Sequence, residues 1–304
     1  MSAIARQRAI PQAKVAVRRQ GLKPRRVVLH AFLIFISLLW LFPLLWCVYT
    51  SFRPYGETAE HGYVSIATSL TLDNYANAWD QGQIPMFFLN TMIILIPALI
   101  LVLLLASMIA FAVSRFSFRF NLFLLMLFTA GNLLPAQVII TPLYRLYLAL
   151  PLPAVINQNG VWYDSYFGIT MIHIAFQLGF CTFVLSNYMK TIPKELTEAA
   201  LVDGASVFRT YWQVILPLCR PPLAALATLE FTFIYNDFFW ALVLMFTGSK
   251  RPITTALNNL QGQFFTDNNL LAAGAIIIAG PTLVVYFILQ RQFIRGLTLG
   301  STKG

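Results

Sequence analysis

Residues 191–217 read TIPKELTEAALVDGASVFRTYWQVILP, a polar stretch set between two long apolar segments, and the fold follows from what this stretch forms. Thr191 can cap a helix in whose first turn Pro193 loses nothing through its missing N–H and Glu195 meets the positive helix end. That helix stops at Asp203-Gly204, because glycine most readily takes the left-handed turn that ends a helix. Ser206 then caps a second helix, which Pro217 terminates. The stretch therefore predicts helix, turn, helix. Leu196, Ala199, Ala200 and Asp203 recur at i, i+3, i+4 and i+7, a narrow face of small residues that another protein can approach closely.

Composition excludes an ordinary soluble domain. Hydrophobic residues make up 58% of the 304 and charged residues only 11%, about half the usual soluble share, with a mean hydropathy of +0.71. The net charge of +10 does not point to nucleic acid, since the basic residues gather at the ends of apolar segments. Cys47, Cys181 and Cys219 form no CxxC pair and read as small apolar fillers. His30, His61 and His173 have no metal-ligand spacing and read as structural residues. The chain lacks G-x-x-x-x-G-K-[ST], G-x-S-x-G and H-E-x-x-H, so neither an enzyme nor a bound cofactor is expected on it.

Six apolar runs are long enough to cross a bilayer: 27–50, 86–113, 118–140, 166–189, 223–246 and 270–289. They predict an all-α, polytopic membrane protein with six transmembrane helices. A basic, disordered arm (1–26) precedes the membrane domain (27–294) and a short tail (295–304) follows it. Of the 21 Lys and Arg residues, 17 then fall on one side and four (Arg53, Arg145, Lys250, Arg251) on the other. The excess of positive charge marks the cytosolic face, which puts both termini and the 191–217 stretch inside and the acidic 51–85 segment outside. Residues 141–165 read as a loop, and Pro97, Pro135 and Gly280-Pro281 as bends. Asn90, Asn132, Gln137, Gln177 and Asn187 can bond across helices or line a path.

The fifth run carries two carboxylates, Glu230 and Asp237, two helical turns apart and so on one face with Phe233, Ile234, Trp240 and Ala241. A charge at the bilayer centre costs about 3 kcal/mol on lenient scales, so this face must look into a bundle or a wet path. Two readings stay open. One is a translocation path in which Asn236 and Asp237 offer hydrogen-bonding groups and Tyr235, Phe238, Phe239 or Trp240 offer ring faces, a mixture that suits sugars. The other is a polar contact with a partner helix, the preferred reading for Glu230.

Glu198-Ala199-Ala200, three residues, Gly204, nine residues, Val214, one residue, then Leu216-Pro217 resembles the EAA loop of permease subunits in binding-protein-dependent ABC importers. Val214 stands where isoleucine is usual. Ile234-Tyr235-Asn236-Asp237-Phe238 is similar to the WNDF stretch of carbohydrate importers of the maltose and glycerol-3-phosphate type, with Tyr235 in place of Trp. The tail from Gln290 to Gly300 also looks like that family's ending.

The resemblance implies a sugar permease of the cytoplasmic membrane. Its 191–217 loop would be a coupling helix between membrane helices 4 and 5, docking on an ATPase through Glu198, Ala199, Ala200, Asp203 and Gly204. It implies a substrate pathway at Tyr235, Asn236, Asp237 and Trp240. The implied partners are a second permease, two copies of an ATPase carrying ATP and Mg, an extracytoplasmic sugar-binding protein facing the 247–269 loop, and membrane lipid. Two alternatives stand beside it: an ABC permease for a non-sugar solute, and an ion-coupled secondary transporter using Glu230 or Asp237 as a proton relay. The absence of an evident inverted repeat speaks against the second.

Overall fold

A computed structural model describes residues 24–131, 135–261 and 266–298. The chain divides into two units, residues 1–47 and 48–304. Expectations for residues 1–23, for Asn132 and for the tail beyond Thr298 fall outside the described residues. Among the described residues there is no strand, only an isolated bridge between Pro151 and Val161.

The first unit holds most of α1 (Pro24–Ser51), whose most apolar 18-residue window has no buried residue. A helix that displays Phe35, Leu38 and Trp40 outward is suited to hydrocarbon rather than water.

The second unit contains α2 (Tyr55–His61), α3 (Asp73–Gln81), α4 (Ile84–Arg115), α5 (Asn121–Gly131), α6 (Ile140–Ala149) and α7 (Tyr166–Met189). It continues with α8 (Glu195–Val202), α9 (Val207–Arg209), α10 (Leu216–Leu218), α11 (Arg220–Tyr235), α12 (Phe239–Leu244) and α13 (Asn268–Thr298). Its core is the pairing of α4 with α7. Ile94, Leu95 and Ala98 join Ile169 and Ile172 in one buried cluster, and Val102, Ala106 and Ala110 join Cys181, Leu185 and Met189 in another. Alanine along α4 lets the two backbones approach, which is how helices gain contact where burial from water drives nothing. α7 begins where the sequence puts it, because the Ser165 hydroxyl caps it by accepting the Gly168 N–H at 2.9 Å. Gly168 is itself required: a Cβ there would lie 2.3 Å from the Trp162 carbonyl oxygen.

Among the described residues four helices, α1, α4, α7 and the Asn268–Gln290 part of α13, are long and apolar enough to span a membrane. The pair Val207–Leu218 and Arg220–Tyr235, bent by 76°, adds a fifth if it is one span. The third expected run is not one long helix: among the described residues it holds α5, and Pro135 is not helical but leads through a 3₁₀ turn at Ala136–Ile139 into α6. Proline at 135 cannot donate to a helical ladder, which accounts for the interruption. The 141–165 stretch is helical over its first nine residues, to Ala149. The 51–85 segment also contains two helices, packed around a buried arginine: Arg53 donates to the Tyr63 carbonyl (2.8 Å) and the Ser65 hydroxyl (2.7 Å). Pro97 and Pro281 sit inside α4 and α13 without ending them.

At the end of α7 opposite the 191–217 stretch, Asp164 fastens two loops together. Its carboxylate accepts the N–H groups of Phe246 and Thr247 (both 2.9 Å) and the Thr247 hydroxyl (2.6 Å), and Lys250 lies 3.7 Å away. Burial works to raise its pKa, but the Thr247 hydroxyl, these amides and the Lys250 charge outweigh it and hold the carboxyl below its ordinary value. A depressed carboxylate contributes stability above its unfolded pKa of about 3.9 and loses it as pH falls through the folded value. Asp164→Ala should therefore cost about 1–3 kcal/mol at pH 7, the penalty for stranding the donors it satisfies, and less in acid once pH has fallen through the lowered folded value. Thermal unfolding of the purified protein in detergent at neutral and acid pH checks this.

Candidate functional site

The 191–217 stretch forms the expected helix, turn, helix. α8 starts later than the sequence suggests. Thr191 does not cap it, since its hydroxyl donates back to the Tyr188 carbonyl at the end of α7 (2.7 Å), and the Lys194 carbonyl takes the first N–H bonds instead. The end of α8 is as expected. Gly204 has φ +80°, its N–H bonds the Leu201 carbonyl (3.1 Å) and the Ala205 N–H bonds the Ala200 carbonyl (3.0 Å), a Schellman ending that only glycine adopts without strain. Ser206 caps the second helix, accepting the Arg209 N–H at 3.2 Å.

Pro217 does not stop that helix. The chain widens to π geometry over Thr210–Ile215 and carries Pro217 inside α10, breaking only after Leu218. A wider turn relieves the clash between a proline ring and the carbonyl four residues back.

Glu198, Ala199, Asp203 and Gly204 come together on one exposed knob, with Ala200 half-buried behind them and Leu196, Val202 and Phe208 exposed beside them. Phe208 stacks on Trp212 with ring centroids 6.3 Å apart, an exposed aromatic pair that the sequence reading passed over. Bonds tie the knob to the membrane helices. The Tyr211 hydroxyl meets the Ser107 hydroxyl on α4 (2.8 Å), Arg115 at the end of α4 donates to the Ile192 carbonyl (3.0 Å), and the Tyr188 hydroxyl donates to the Leu218 carbonyl (3.2 Å).

The second candidate region departs from expectation. The fifth run is not a continuous helix: α11 ends at Tyr235 and α12 begins at Phe239. Glu230 and Asp237 therefore do not share one helical face. Asp237 sits in the break, where its carboxylate oxygens accept the Trp240 and Ala241 N–H groups (both 3.2 Å) and so cap α12. His173 Nε2 on α7 lies 3.6 Å from the same carboxylate. Thr254, in the 3₁₀ segment Ile253–Leu260, donates its hydroxyl to the Asp237 carbonyl at 2.5 Å.

Tyr235 is fully buried and donates to the Ile278 carbonyl (3.0 Å). Trp240 is buried against Phe176, with centroids 5.1 Å apart. Asn236 is exposed; its amide N–H groups reach the Thr232 carbonyl (2.8 Å) and the Thr282 hydroxyl (3.3 Å). Phe233 and Phe238 are the exposed rings of this stretch. Glu230 contacts no outer surface. It is buried within this chain, where the Cys181 thiol donates to it at 3.2 Å, so Cys181 is more than a filler.

Sequence reasoning did not find the His173–Asp237 pair, because nothing local marks a partner on another helix. Asn90 is resolved likewise: its amide donates to the Ser249 and Arg251 carbonyls (2.8 and 2.9 Å) and its oxygen accepts from the Tyr166 hydroxyl (2.7 Å).

An all-helical chain with several membrane-spanning helices and a bolted helix-turn-helix knob between two of them has the form of a membrane transport permease. Residues 102–299 match the family described as binding-protein-dependent transport system inner membrane component, and the chain belongs to that family of multi-pass membrane proteins. It is 31% identical over 264 residues to the probable ABC transporter permease protein PH1036 of Pyrococcus horikoshii, covering 86% of this chain and 92% of that one. It is 31% identical over 276 residues to the diacetylchitobiose uptake system permease protein NgcG of Streptomyces coelicolor, covering 90% and 88%. In fold it is similar to a chain of a bacterial ABC transporter involved in import of the polysaccharide alginate, with a TM-score of 0.72 at 20% identity, covering 88% of this chain and 95% of that one.

The turn at Gly204 is the most exacting backbone feature of the knob. Gly204→Ala should cost about 1–2 kcal/mol of left-handed strain. Amide exchange over residues 200–206 is expected to speed up severalfold while α7 keeps its protection.

Proposed function

We propose that this chain is one of two permease subunits of an ATP-driven importer that carries a sugar or oligosaccharide across the cytoplasmic membrane by alternating access. The exposed knob, with Glu198, Ala199, Ala200, Asp203 and Gly204, carries the reading. It docks in a cleft of a cytosolic ATPase, two copies of which hold the ATP and Mg that this chain does not. The chain crosses the membrane six times with both ends cytosolic, its third crossing made by α5 and the residues leading to α6.

Supporting the coupling role, the bonds from Tyr211 to Ser107 and from Arg115 to Ile192 make a push on the knob a push on α4. Membership of a binding-protein-dependent family weighs against the proton-relay alternative. The sugar class is supported by the relative named for diacetylchitobiose uptake and the fold neighbour named for alginate import. An extracytoplasmic binding protein delivers the sugar to the 247–269 loop.

In the pathway, Asn236 offers the hydrogen-bonding group and Phe233 and Phe238 the ring faces, since these are exposed. Tyr235, Asp237 and Trp240 hold the break that displays them.

Glu198→Lys inverts a charge on the knob, and Gly204→Pro forbids its turn. Each should abolish uptake of labelled sugar while the chain stays in the membrane at normal abundance. Uptake at the normal rate in either variant would sink the coupling role. Affinity purification through a tag on the N-terminal arm should bring down an ATPase and a second permease.

A further inference from the structure

The segment from Phe246 to Leu260 is an outer loop by position, yet it is held against the helix bundle by part-buried and buried bonds. Asp164 takes Phe246 and Thr247, Asn90 takes Ser249 and Arg251, and the Thr91 hydroxyl accepts the Ile253 N–H at 2.8 Å. These anchors lie on α4 and at the start of α7. One further bond leads elsewhere. The Thr254 hydroxyl ends on the Asp237 carbonyl (2.5 Å), the backbone group at the centre of the break between α11 and α12.

That carbonyl has lost its helical partner, and the same residue caps α12 and faces His173. Asn236, whose exposed amide belongs to the proposed pathway, is the next residue along the backbone. A shift of the loop that moves Thr254 must either break this bond or displace Asp237, and with it the adjoining Asn236 and Phe238.

We infer that Thr254 is a positioning residue that links the outer loop to the Asn236-Asp237 break, so that a binding protein seated on the loop sets the orientation of the pathway amide. The inference rests on the importer reading for its consequence and on the Thr254–Asp237 bond for its geometry. Thr254 touches no substrate. Its hydroxyl acts through the backbone, and a serine should replace it where a valine of the same shape should not.

The test uses the complete importer, reconstituted in vesicles with its ATPase and binding protein, comparing wild type with Thr254→Val and Thr254→Ser. Thr254→Val is expected to lower binding-protein-stimulated ATP hydrolysis roughly three- to tenfold, the worth of one hydrogen bond, and to leave unstimulated hydrolysis unchanged. Thr254→Ser is expected to restore stimulation. In the purified chain, Thr254→Val should speed amide exchange at residues 238–242 and leave α7 untouched. Stimulation unchanged in Thr254→Val overturns the inference. So does equal loss of stimulated and unstimulated hydrolysis in both variants, which would mark a merely structural role. A wild-type complex whose ATP hydrolysis ignores the binding protein overturns the importer reading instead, and the exchange measurement then decides the linkage alone.

Discussion

A helix can be interrupted inside an apolar bundle only if the backbone groups it releases find other partners. In this chain one residue supplies most of them. Each unpaired N–H or C=O away from water costs as much as several favourable contacts return, so the break at 236–238 stands or falls with Asp237. Its two carboxylate oxygens replace the carbonyls that Trp240 and Ala241 would have met in an unbroken helix. Its own carbonyl is taken by Thr254. The carboxylate that looks, on sequence alone, like a charge exposed to a path is first a structural acceptor.

The knob on the other side of the chain follows similar logic at lower cost. A Schellman turn and a serine cap satisfy the ends of two short helices at the surface. Short helices of this kind are marginal by themselves, and their order comes from packing. Thr210, Tyr211 and Ile215, the buried residues of the π segment, provide it. The π segment runs into α10, and after a 76° bend at Cys219 α11 continues to Tyr235, beside the break that holds Asn236 and Asp237. The bond from Tyr211 to Ser107 adds α4 to the same body.

What was legible in the sequence divides along the reach of each signal. The helix-turn-helix, its Gly204 turn and the limits of α7 are set by residues within a few positions of one another, and all were readable. The long apolar runs gave α1, α4, α7 and α13 for the same reason. Failures came where a distant partner overrides a local pattern. The 223–246 run is apolar apart from a few residues, Glu230, Asn236 and Asp237 among them, and only the acceptors of Asp237 and the hydroxyl of Thr254 make a break tolerable there. Pro217 read as a stop because the π turn before it leaves no mark in the sequence. Thr191 read as a cap, yet the carbonyl of Tyr188 on the preceding helix takes its hydroxyl.

The exposed groups of the broken segment then set a physical condition on the proposed pathway. Tyr235 and Trp240 are the rings that sequence alone favours for stacking on a sugar, but both are covered, one bonded to Ile278 and the other packed on Phe176. Uncovering Trp240 would forfeit an aromatic contact of about 1 kcal/mol and the burial of its ring. Phe233 and Phe238 need no such expense, being exposed already on either side of Asn236. A flat apolar face of a sugar meets a phenyl ring as well as an indole or a phenol for dispersion, so the exchange of rings loses only the indole N–H and the phenol O–H as polar groups. Asn236 supplies an acceptor in its place, since its amide nitrogen is committed to Thr232 and Thr282 while its oxygen forms no bond of that pair. In the importer reading, the broken helix serves the pathway by turning one amide and two phenyl rings outward at a single point, while Asp237 and Thr254 give the Trp240 and Ala241 N–H groups and the Asp237 carbonyl their partners.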